Sequence, residues 1–231
     1  MNLLLFELKL MLRNKRLKEL LIMSFVLLFI IYPQFMSNYS MVKDYPVFGI
    51  FFIFAGLAAV GSYFAIFVFS MNGSFMERLI TSPLSVNKIL ETKYYFLCIV
   101  SFIMLLLMFP LMLLGISFFQ LISSFLYAIG FLYFGFFYTS LYSYKTLDIK
   151  KTSFYNFQGI NVANYLFPIL LLVGATGLVV LIHWLLREIV TWTVMFATGL
   201  IFVATHKIWL KYISKKFEKT RYKRLECFRE S

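Results

Sequence analysis

Residues 94–114 read YYFLCIVSFIMLLLMFPLMLL. No Asp, Glu, Lys or Arg interrupts them, and Lys93 stands immediately before them. A helix of about 20 apolar residues rises about 30 Å, the thickness of the hydrocarbon layer of a bilayer. An uncharged run of this length is too long for a core strand and has lipid as its natural solvent. The composition agrees. Of 231 residues, 61% are hydrophobic and 14% charged, and the mean hydropathy is +0.85. Soluble domains run nearer half apolar and a quarter charged. A soluble enzyme and a disordered tail are thereby excluded, and two cysteines, Cys98 and Cys227, make no disulfide scaffold.

Outward from this run lie five more uncharged windows, at about 20–36, 47–71, 121–143, 165–182 and 189–206. Together they predict an all-α integral membrane protein with six transmembrane helices. The first window starts too late and runs too long for a cleaved signal peptide. Only the short segment 183–188, HWLLRE, separates the fifth window from the sixth. Pro110 is expected to kink the third span because it removes a backbone donor. In the fifth, Pro168 is expected to start the helix, and Gly174 and Gly177 to let it bend. The second window carries small residues, Ala55, Ala58, Ala59, Gly61 and Ser62. Their spacing permits close helix approach, either as internal packing or as the interface between two copies. The aromatic run Phe131–Tyr138 reads as lipid- or core-facing filler rather than a substrate box.

The net charge of +12 is sorted by loop. Basic residues number five in 1–19, one in 37–46, three in 72–93, none in 115–120, three in 144–164, one in 183–188 and nine in 207–231. Alternate segments therefore hold 20 of the 22. Lys and Arg stay on the cytoplasmic side during insertion. The alternation thus predicts cytoplasmic termini, three short outer loops and a multi-pass protein of the cell membrane, of the bacterial cytoplasmic kind. A missed or invented span would scramble it. Trp184 and Trp192 fall at the predicted outer boundary and Trp209 at the inner one.

Three parts follow: a basic interfacial helix over 1–19, a six-span domain over 20–206, and a basic tail over 207–231. In the first, Leu3, Phe6, Leu10 and Leu17 share a stripe, while Lys9, Arg13, Lys15, Arg16 and Lys18 suit anionic lipid headgroups. The tail is expected to continue the last span as a lipid-facing anchor, and nucleic acid is not expected as a partner. His183 and His206 have no carboxylate or cysteine at ligand spacing, so no metal site is expected.

The loop 72–93 reads NGSFMERLITSPLSVNKILETK. Asn72 or Ser74 can cap a short helix that Pro83 ends, and Ser85 can cap the long helix that becomes the third span. An exposed helix carrying Phe75, Glu77, Arg78, Leu79 and Ile80 at such a bend suits docking to a partner protein. This stretch resembles the signature of ABC-2-type permeases, approximately Gly-Thr-Leu/Met-Glu-x-Leu-Leu-x-Thr-Pro-Leu-Ser with a Gly-Lys some ten residues on. The matching residues are Gly73, Ser74, Glu77, Leu79, Ile80, Ser82, Pro83, Leu84, Ser85 and Lys93. The chain departs by one extra residue between Gly73 and Glu77, by lacking an Arg-Glu pair before Gly73, and by Thr92 where Gly is usual.

What the resemblance implies is the membrane subunit of an ATP-driven exporter, with 72–83 as its coupling helix. Glu77 and Arg78 would make polar contacts in a groove of a cytoplasmic ATPase, and Phe75, Leu79 and Ile80 would pack there. A second copy or a sister permease would complete the path. The chain has no G-x-x-x-x-G-K-[ST] loop, so it is not expected to be an enzyme or to bind a cofactor itself. ATP-Mg would be held by the partner subunit. The uncharged spans weigh against the alternative of a secondary carrier or channel. They favour an apolar or amphipathic substrate. A non-transporting assembly or sensor protein is the remaining alternative.

Overall fold

In a computed structural model of the chain, the described residues are 85–114, 116–142 and 162–229, with isolated positions before residue 70. Among them there is no strand. Five helices can be followed: α1, Val86–Met108; α2, Phe118–Tyr142; α3, Val162–Leu185; α4, Glu188–Ala204; and α5, His206–Arg229. By length and composition α1 and α2 can each cross a membrane, and the bent pair α4 and α5 passes the same test only when taken together, as a broken span or a re-entrant loop. Within α3, Ile169–Leu185 forms a shorter apolar helix.

Helix α1 starts where sequence places its cap. The Ser85 hydroxyl accepts from the Lys88 N–H, which answers one of the donors a helix start leaves open. The helix begins eight residues ahead of the uncharged window, so its first two turns carry Lys88, Glu91 and Lys93. At Pro110 the α-helix does not merely kink. It ends at Met108 and tightens into a 3₁₀ segment over Phe109–Leu114. Ser117 and Gln120 then form a reciprocal capping box at the start of α2.

Helices α2 and α4 run side by side, and glycine sets their distance. A Cβ on Gly199 would lie 2.4 Å from the Leu126 carbonyl carbon, and one on Gly130 would lie 2.5 Å from the Gly199 oxygen. Only a bare backbone fits this crossing. A π-helical turn widens α2 over Ala128–Leu132 at the same place. Below it, Tyr133, Phe136 and Phe137 are fully buried, so these members of the aromatic run belong to the core.

Three expectations change. Helix α3 starts at Val162, so Pro168 lies inside it, and it continues unbroken through Gly174 and Gly177 to Leu185. Neither glycine has a neighbour within 4 Å of a Cβ position, so both face open space. The separator 183–188 shrinks to Leu186 and Arg187, because its flanks complete the last turn of α3 and the first of α4. The tail is helical but does not continue the sixth span in line. Helix α5 departs from α4 by 61° at Thr205. The windows at 20–36 and 47–71 lie outside the described residues except at isolated positions.

Candidate functional site

Charged residues gather at one end of the described bundle, where α1 begins, α2 finishes and α5 departs. The most buried charge there is Lys93, whose side chain is 7% exposed. It approaches both carboxylate oxygens of Glu7 at 3.3 Å, and the Glu7 side chain is 13% exposed. Glu7 lies in helical backbone, and its neighbour Leu4 packs against the same core. An ammonium buried two turns into a long apolar helix needs a counter-charge, and the N-terminal segment supplies it. Around the pair, the Asn87 amide donates to Glu91 at 2.7 Å, and the Thr92 hydroxyl returns to the Lys88 carbonyl at 2.8 Å.

The bend between α4 and α5 is built from side chains. The last carbonyls of a helix have no N–H partner within it, and burial makes that costly. Here the Trp209 indole N–H donates to the Phe202 carbonyl at 3.0 Å. His206 Nδ1 sits 2.8 Å from the Val203 carbonyl, so that nitrogen carries the proton. The Thr205 hydroxyl and N–H both reach the Ile201 carbonyl, at 2.8 and 2.9 Å. Helix α1 braces the break from outside: Tyr95 Oη meets His206 Nε2 at 2.9 Å, and the Tyr94 ring stacks on the imidazole at 5.3 Å. Trp209, 6% exposed, packs edge-on against Tyr94 and is buried inside the bundle rather than set in a lipid-facing belt. Trp192 is likewise buried, its N–H on Glu188, whereas Trp184 is 81% exposed.

Beyond the bend, the exit of α2 meets α5. The Lys216 ammonium donates to the Tyr138 hydroxyl at 2.6 Å and lies 4.4 Å from the centre of that ring. Tyr212 stacks on Tyr138 at 6.4 Å, and Phe217 stacks on Phe69 at 4.3 Å. At the far end of the bundle, the Gln120 amide donates to Glu188 at 2.6 Å, which joins the starts of α2 and α4. Among the described residues no group of three or more His, Cys, Asp or Glu gathers. At this end a helix start, a buried ion pair and a braced bend bring into contact three segments that are distant in sequence.

The predicted coupling residues Phe75, Glu77, Arg78, Leu79, Ile80 and Pro83 lie outside the described residues. So do the small residues Ala55, Ala58, Ala59, Gly61 and Ser62. Of the quoted motif the described residues thus include Ser85, at the start of α1, and Lys93, two turns into it, but not its centre. The structure adds Glu7, Thr205 and the Gly130–Gly199 contact, which the sequence reading did not single out, and it gives His206 and Trp209 a place at the bend that the sequence did not assign. Glu7 had a signal. With Glu19 it is one of two acidic residues in the basic segment 1–19, and it lies in the more apolar first half.

No curated protein matches the chain, and no solved structure does. A family model described as a family of unknown function, DUF5687, matches residues 2–231, and the chain belongs to that family.

Proposed function

We propose that this chain is the membrane-spanning permease subunit of an ATP-driven exporter. In this reading it has six spans with both termini cytoplasmic, and it works as a pair with a second permease. Loop 72–93 would receive the stroke of a separate cytoplasmic ATPase. The observation that carries the reading is the position of α1. A Ser85-capped helix of 23 residues starts three positions after Pro83, directly after the motif in the sequence. A push on segment 72–83 would move a single stiff rod whose inner face forms part of the core. Lys93, the last motif residue, is bonded to Glu7, so the N-terminal segment would move with the rod.

The uncharged interiors of α1 to α4 favour a path for apolar or amphipathic molecules such as lipids or hydrophobic peptides. Ion-coupled carriers need ionisable groups in their spans. Between Tyr94 and Tyr142 there is no Asp, Glu, Lys or Arg.

The test is mild detergent extraction of the tagged full chain, followed by identification of what co-purifies and by ATP-dependent transport in reconstituted vesicles. An ATPase subunit should accompany the wild-type chain and be lost with Glu77→Lys, while the permease remains folded. If no ATPase accompanies the chain and ATP changes nothing in the vesicles, the reading fails.

A further inference from the structure

Helix α5 has two faces, and the structure assigns them differently from a free amphipathic helix. Trp209, Leu210, Ile213 and Phe217 are buried against the bundle, so the apolar face is already covered by protein. Opposite them Lys207, Lys211, Lys215 and Lys219 are all exposed. At intervals of four residues these side chains form one row, about 6 Å from one to the next. Among the side chains described, Glu218 is the acidic residue on this face, and Lys216, at its border, is engaged with Tyr138.

Two observations give the row a direction. The first is continuity. On α4, an apolar helix of 17 residues, Leu200 and Ile201 are 48% and 56% exposed. The exposed apolar surface continues past the bend as Ile208 and Tyr212, 71% and 54% exposed, which lie directly beside the lysines. A lysine whose stem lies along such apolar groups holds its ammonium at the level of the phosphates. The second is the angle. With α4 along the membrane normal, a helix inclined by 61° drops about 12 Å over residues 206–221, at about 1.5 Å per residue. The row then stays within the headgroup layer and about one screening length of it.

From this we infer that the exposed lysine face of α5 is a docking surface for anionic phospholipid headgroups, and that it pins the bent helix against the leaflet at this end of the bundle. Ile208 and Tyr212 enter the edge of the acyl region, and Lys207, Lys211, Lys215 and Lys219 take the phosphates. The inference needs only that α4 be embedded in a bilayer. It does not depend on the exporter reading, and its test involves neither ATP nor an ATPase.

The full chain is reconstituted in phosphatidylcholine vesicles with a trace of spin-labelled phosphatidylglycerol or spin-labelled phosphatidylcholine. The motionally restricted fraction of each label gives their relative association with the protein. The wild type should prefer phosphatidylglycerol, and 0.5 M salt should weaken that preference. A lysine held at an anionic surface contributes about fivefold. Averaged over all boundary lipids, the combined Lys207→Gln, Lys211→Gln, Lys215→Gln and Lys219→Gln variant should lower the preference by about twofold. The matching Lys→Arg variant should keep it. Equal preference in wild type and Gln variant overturns the proposal. So does a wild-type preference that 0.5 M salt leaves unchanged, a measurement that needs no variant. A Gln variant that keeps its lipid preference but loses a co-purifying protein would assign the face to an acidic protein instead, and also overturns it.

Discussion

Lys93 and Glu7 meet at 3.3 Å with side chains 7% and 13% exposed. At an effective dielectric of about 20, two unit charges at that distance attract by about 5 kcal/mol. Removing each ion from water costs several kcal/mol, so the pair as a whole is close to neutral for stability. A lone survivor has the cost without the attraction. Lys93→Met should therefore destabilise the protein by about 3–5 kcal/mol, because it strands the carboxylate of Glu7. Glu7→Met, which strands the more buried ammonium, should do at least as much. The double variant Glu7→Met/Lys93→Met should return to within about 1 kcal/mol of wild type, or exceed it, because two thioether side chains fill similar space without charge. Thermal unfolding of the purified protein in detergent, followed by circular dichroism, reads the difference. For a chain of this size about 1 kcal/mol moves the midpoint by about 2–4 °C, so each single variant should fall by about 6 °C or more. Additive losses in the double variant would refute the argument. They would mean that the two side chains act independently and that no buried pair joins the N-terminal segment to α1.

Two further outcomes follow from packing and from the bend. Gly199→Ala should cost about 1–3 kcal/mol or more, since its Cβ would sit 2.4 Å from backbone and force α2 and α4 apart by about 1 Å. Gly174→Ala, with nothing within 4 Å, should instead be neutral or stabilising by up to about 1 kcal/mol through helix propensity. Melting of the two variants side by side checks the contrast. Trp209→Phe keeps an aromatic ring, smaller than the indole, and removes the donor to the Phe202 carbonyl, so that the stranded carbonyl should cost about 1–3 kcal/mol on top of the lost packing. Distances between spin labels on α4 and α5 should broaden at the same time. An unchanged distribution would show that the indole N–H does not hold the bend.

Much of the helical plan was legible without coordinates. The windows at 94–114, 121–143, 165–182 and 189–206 each fall largely on one helix. The first loses its last six residues to a 3₁₀ segment, and the last runs across the bend at Thr205. Ser85 caps the helix it was expected to cap. Helix ends were less legible where polar residues extend a helix past its apolar part. Helix α1 gains two charged turns because Lys93 finds Glu7, and nothing near Lys93 in sequence announces a partner 86 residues away. Trp209 was read as a boundary ring from its position along the chain, but its indole serves a carbonyl seven residues back.

The sequence by itself determined that this chain is helical and suited to lipid, because a segment in hydrocarbon must satisfy its own backbone and show apolar side chains. Both requirements can be checked one window at a time. It also determined where the positive charge lies. Tertiary structure alone decided the surroundings of each cation. Lys93 is neutralised inside the bundle, Lys216 is held by Tyr138, and the row from Lys207 to Lys219 is left facing outward. Whether a cation is buried, bonded or free depends on which surfaces arrive next to it. At Thr205 the 61° bend, and at Gly199 the bare backbone crossing, decide which surfaces those are.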